Sequence, residues 1–180
     1  MARDLTCRLF TENLAFWMAS AARLLDLDDG HRFAMGHPGV VVNAAAVAAA
    51  ANTAGVQGTT VLEAVIKGYE VYSYQGRAIN PSAYLERGFD ATSICGAAGA
   101  ATVAGTIMGL NETQISDAIS LAASLCGGLN QYAIEGSSPK YLCAGWACKL
   151  GIAAAKLAKH GMGGPAGIFE GRFSVSRSVQ

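Results

Sequence analysis

The stretch Ala91-Thr-Ser-Ile-Cys-Gly-Ala-Ala-Gly-Ala-Ala-Thr-Val-Ala-Gly-Thr-Ile-Met-Gly-Leu-Asn111 carries no charged residue, and its reading decides the fold. It even holds a G-x-x-x-G pattern, Gly105 to Gly109, of the kind that packs helices inside membranes. Membrane insertion, however, is driven by Leu, Ile, Phe and Val, and here Ala, Gly, Ser and Thr dominate. The same small residues let helices approach closely in a water-soluble bundle. The spacing therefore predicts a packed helix over Ser93 to Met108, stopped by Gly109, and no membrane span.

Helical signals recur on both sides, and strand signals are scarce. Thr11 to Leu25 is apolar, with an acid near its start and Arg23 near its end, in agreement with the helix dipole. Val40 to Ala54 is Ala-rich and stops at Gly55, and Thr60 and Glu63 have the spacing of a capping box before a helix that runs towards Gln75. Asn111 can cap a helix reaching Cys126, and a last helix spans Leu142 to His160 with Gly161 as its stop. Five or six helices without a confident strand predict an all-α helical bundle. Three polar connections separate them: Asp26–Gly39, Arg77–Thr92 and Tyr132–Lys140.

Length and composition bound the rest. A chain of 180 residues suits one domain. Only 14% of residues are charged, where about 25% is usual. Such a chain cannot coat a lone small domain, so part of its surface is expected to face another domain or subunit. Thirteen basic residues balance thirteen acidic ones, which removes the electrostatic basis for binding nucleic acid. Disorder is excluded too, since it needs low hydrophobicity and high net charge. The N-terminus shows no apolar signal region, and the five cysteines form no C-x-x-C pair, so free thiols in a reducing cytoplasm are expected.

Titratable groups gather in the polar connections. The first holds Asp26, Asp28, Asp29, His31, Arg32 and His37; the second holds Arg77, Glu86, Arg87 and Asp90; the third supplies Glu135 and Lys140. The His and Asp spacing matches no established metal pattern, so no metal is expected. Nucleotide-binding glycine loops and the G-x-S-x-G elbow are missing. The cluster suits acid–base chemistry, with an imidazole moving a proton beside carboxylates while cations hold an anionic substrate. A solvated capping loop has the same composition, and spacing alone does not separate the two.

The same connections carry a resemblance. Leu25-Asp-Leu-Asp-Asp-Gly-His-Arg32, Gly36-His-Pro-Gly39, Gly68-Tyr-Glu-Val71, Arg87-Gly-Phe-Asp90, Lys140-Tyr-Leu-Cys-Ala-Gly-Trp-Ala147, Gly161-Met-Gly-Gly-Pro165 and Phe169-Glu-Gly171 follow one another in an order that resembles the MmgE/PrpD family. Its members include 2-methylcitrate dehydratase, cis-aconitate decarboxylase and iminodisuccinate epimerase. The resemblance implies the large helical domain of that fold, which in full-length relatives meets an α/β lid, usually in a homodimer and without cofactor or metal. Covering by a lid and a second subunit would account for the shortage of charge. The resemblance spans residues 1–171 as a partial helical domain, with 172–180 expected as a divergent tail and the lid expected to be absent.

The implied function is a lyase, 2-methylcitrate dehydratase-like, acting on small di- or tricarboxylic acids by cofactor-free proton abstraction. An isomerase of the same family, or an incomplete fragment needing a separate lid polypeptide, are the alternatives. The family's site residues fall on His37 as proton-transfer group, Lys140 as carboxylate or oxyanion partner, and Asp26 or Asp29 as the orienting acid. His31, Arg32, Arg87 and Asp90 are candidates for substrate binding. Gly30 stands where decarboxylase-like relatives have Thr, Asp90 where they have a second His, and Cys143 where many have an aromatic residue or His. These differences point away from decarboxylation.

Overall fold

A computed structural model describes residues 2–79 and 86–179, with side chains over 11–79 and 86–177. Its centre is α4 (Ala91–Ile107), the helix expected from the uncharged stretch. Every residue from Ala91 to Gly105 is buried. A helix apolar on all sides has to sit inside other helices, and this one does. It packs against α2 (Pro38–Ala51), α3 (Gly58–Ile79), α5 (Glu112–Leu125) and α7 (Pro139–Lys159). The side chain of Asp90 caps its start by accepting from Ser93 N at 2.7 Å.

Small residues set how closely these helices approach. A Cβ added at Gly151 of α7 would come within 2.6 Å of the Ala97 carbonyl and of Ala101 N in α4. One added at Gly68 of α3 would meet Val103 at 2.5 Å. The core is accordingly built from Ala, Val and Gly, with Val41, Val42 and Ile152 fully covered. Around α4, α1 (Ala2–Ala22) packs on α2 and α7. Two single-turn helices, α6 (Gln131–Glu135) and α8 (Val175–Val179), complete the described residues. No helix among these residues is long and apolar enough to cross a membrane.

Several boundaries differ from those expected. The capping box at Thr60 and Glu63 is not formed: α3 starts two residues earlier, Val61 N donates to Gln57 O at 3.2 Å, and Glu63 instead pairs with Lys67 one turn along at 2.6 Å. Helix α3 also continues to Ile79, so Arg77 is helical and the second connection is shorter than Arg77–Thr92. Its residues 80–85 lie outside the described residues. Pro139 suits a first helical turn because its φ is already fixed. Helix α7 therefore begins three residues ahead of Leu142 and takes Lys140 into its first turn. An antiparallel bridge between Phe89 and Leu129 ties the second connection to the chain after α5.

Candidate active site

The connection between α1 and α2 is folded by its own polar groups. His31 N donates to Gly36 O at 3.0 Å, and His31 Nδ1 accepts from Ala34 N at 3.0 Å. Its far end is pinned to the bundle where His37 N donates to Thr92 Oγ1 at 3.2 Å and Tyr72 donates to the Met35 carbonyl at 3.0 Å. Burial raises the Tyr72 phenol well above its usual pKa, so it stays a donor.

Asp29 caps α2. Its two oxygens accept from Gly39 N at 2.9 and 3.1 Å, and Oδ2 also accepts from the Tyr69 hydroxyl at 2.9 Å. Burial first, and the bond to Asp29 second, push the Tyr69 phenol up to about 12. His37 occupies the N-cap position of α2 but makes no side-chain cap bond there, so its ring is left for other contacts.

That ring turns to Asp28, which the family pattern did not single out. His37 Nδ1 lies 3.2 Å from Asp28 Oδ2 and 2.5 Å from the Asp29 carbonyl. Both neighbours are acceptors, so Nδ1 carries a proton, and the tautomer this geometry favours has its lone pair on Nε2. Asp28 Oδ2 also accepts from Arg23 Nη1 at 2.7 Å, with both side chains almost fully buried. Arg23 in turn lies 3.8 Å from Asp26 Oδ1, and Lys140 Nζ donates to Asp26 Oδ2 at 2.6 Å. His37 and Lys140, from connections far apart in sequence, are therefore joined through Asp28, Arg23 and Asp26. Asp26 is held below the usual carboxylate pKa chiefly by its bond to Lys140.

Beside this chain of charges opens a cleft of about 440 Å³, lined by Arg23, Tyr132, Gly136, Ser137, Lys140 and Tyr141. Behind it Asp90 is buried, taking hydrogen bonds from Ser93 N and from the Tyr132 hydroxyl. Burial and then the nearby Asp90 charge raise the pKa of both Tyr132 and Cys143. Cys143 is thus a neutral thiol at ordinary pH, not a nucleophile in waiting. Arg32 and Arg87 are exposed and neither lines the cleft.

The geometry brings His37, Lys140, Asp26 and Asp29 to one end of the bundle. It adds Arg23, Asp28, Tyr69 and Tyr132. Arg23 reads in sequence as a helix-end cation. Tyr69 falls in the family-like segment Gly68-Tyr-Glu-Val71, which assigns it no role, and Tyr132 carries no sequence signal beyond an aromatic ring with a hydroxyl. No cluster of three or more His, Cys, Asp or Glu side chains among the described residues is arranged to hold a metal ion.

An all-helical domain with an imidazole, two cations and three carboxylates at one end is the class that fold and site define. Residues 6–179 match the model of the MmgE/PrpD N-terminal domain, and the chain belongs to that family. No curated protein matches it.

Proposed function

We propose that the cleft binds a small di- or tricarboxylic acid and removes a proton α to a carboxylate without a cofactor, as in a 2-methylcitrate dehydratase-like lyase. The observation carrying this reading is that Arg23 and Lys140, which line the cleft, belong to one charge network with His37. A proton α to a carboxylate is weakly acidic, so its removal needs a placed base and a cation for the developing enolate charge. His37 Nε2 takes the proton, and Asp28 holds the ring through Nδ1. Lys140 has three donors and spends one on Asp26, leaving others for the oxyanion. In the dehydratase case the carbanion's electron pair forms the C=C bond as the β-hydroxyl leaves, and protonation of the leaving oxygen releases water.

A second reading is favoured by exposed apolar side chains around the site connection. Leu25, Leu27 and Phe33, in or beside the site connection, are well exposed, Leu27 to 85%. Such residues fit a surface that a lid or a partner subunit covers, and an uncovered cleft admits water. On this reading the chain alone turns over orders of magnitude slowly, because substrate is not held rigidly.

The test is an assay of the purified chain, alone and with a lid domain supplied, against 2-methylcitrate and cis-aconitate in deuterated water. Deuterium uptake into substrate reports proton abstraction even without net dehydration. Lys140→Ala is expected to abolish both signals; unchanged turnover in that variant removes Lys140 from the mechanism.

A further inference from the structure

The two cations of the cleft already hold a carboxylate, that of Asp26. Its Oδ2 sits on Lys140 Nζ at 2.6 Å, and its Oδ1 faces Arg23 Nη1 at 3.8 Å. The other acid on Arg23, Asp28, is buried and also faces His37, so it is a fixed part of the scaffold. Asp26 is different in kind. Its side chain is half exposed. It is carried on backbone with φ 51°, a left-handed conformation uncommon outside glycine. An exposed ion pair of this sort is worth little and is readily exchanged.

We propose that Arg23 and Lys140 form a seat for one substrate carboxylate, and that Asp26 fills this seat in the empty site and is displaced when substrate binds. The inference rests on the reading above that the cleft takes a carboxylic acid, and it adds Arg23 as a substrate-binding residue and Asp26 as an internal competitor. Competition between two anions for the same pair of cations has a direct consequence. Removing the charge of Asp26 while keeping its shape frees the seat, so carboxylate affinity rises instead of falling. An acid that merely oriented Lys140 would give the opposite sign.

The experiment is calorimetric titration of the purified chain with tricarballylate, a tricarboxylate without a leaving group. Asp26→Asn is suited to it because Asn tolerates the left-handed backbone, and Asp26→Ser serves as a second variant. Both are expected to bind about fivefold tighter than the unaltered chain, the exchange value of an exposed ion pair. Lys140→Gln and Arg23→Met are expected to bind at least tenfold more weakly. Equal or weaker binding by both Asp26 variants overturns the competitor role, and unchanged binding in Arg23→Met overturns the seat. Both results leave the carboxylate-cleft reading standing if Lys140→Gln still loses affinity. Absence of binding by the unaltered chain and by every Asp26 variant overturns that reading as well.

Discussion

The carboxylate of Asp29 stands 2.9 Å from the backbone nitrogen of Gly39, ten residues along, and closes the start of α2 from outside the helix. Pro38 leads that helix and gives no N–H, so Asp29 serves the first donor that needs a partner. Its place in the site connection is therefore structural first. Loss of a side-chain cap usually costs about 0.5–2 kcal/mol. Asp29→Ala is expected to fall in the upper half of that range by urea denaturation, because it also leaves the Tyr69 hydroxyl without its acceptor. A change within error would mean that Asp29 is not holding α2.

Much of this arrangement could be read from the chain, and the part that could not has a physical cause. The uncharged stretch Ala91–Asn111 predicts a buried helix because small apolar residues on every face leave no side for water. Asn111 is legible as a cap because the bond is local: it accepts from Gln114 N at 2.9 Å, with the reciprocal bond also made. Thr60 fails the same test because α3 begins at Gly58, which leaves Thr60 already inside the helix. The site is less legible because its bonds are long-range. His37 reaches back to Asp28, Lys140 crosses to Asp26, and Tyr132 reaches Asp90, and nothing in local spacing ranks Asp28 above Asp29.

Arg23 and Asp28 make the most buried ion pair of the site, at 2.7 Å. Removing one partner of such a pair typically costs about 3–5 kcal/mol, because a charge is left buried without compensation. Asp28→Ala is expected near the lower end, as Asp26 remains 3.8 Å from the guanidinium. Asp28 Oδ1 is buried and lacks a hydrogen bond, so the pair is not ideally satisfied. The double change Arg23→Met with Asp28→Leu should therefore be much milder than either loss of a single partner. Chemical denaturation of the three variants decides this; a double variant as unstable as Asp28→Ala would contradict it.

Gly151 tests the close approach of α4 and α7. Replacing glycine by alanine inside a helix gains up to about 1 kcal/mol in propensity. Here the new methyl would lie 2.6 Å from Ala101 N and from the Ala97 carbonyl, so it meets backbone, which cannot turn aside. Overpacking of this kind costs about 1–3 kcal/mol or more, and the clash outweighs the propensity. Gly151→Ala is expected to lower the thermal midpoint. A raised midpoint would show that the two helices are farther apart than described.

Tyr69 gives a prediction in alkali. Its folded pKa, about 12, lies above the ordinary tyrosine value of 10. The sign follows from which state loses its proton first. Between those two values the unfolded chain ionises at this position while the folded one keeps its phenol. Stability from this group is thus complete below pH 10 and is lost as the pH rises towards 12. Tyrosinate absorbance should reveal phenols ionising later in the native chain than in the denatured one, Tyr69 along with the raised Tyr72 and Tyr132, and one fewer of them in Tyr69→Phe. That variant should be less stable at neutral pH, having lost its bond to Asp29, yet lose less further stability in this alkaline window. Equal alkaline losses in the two proteins would mean that the phenol is not held protonated by its place beside Asp29.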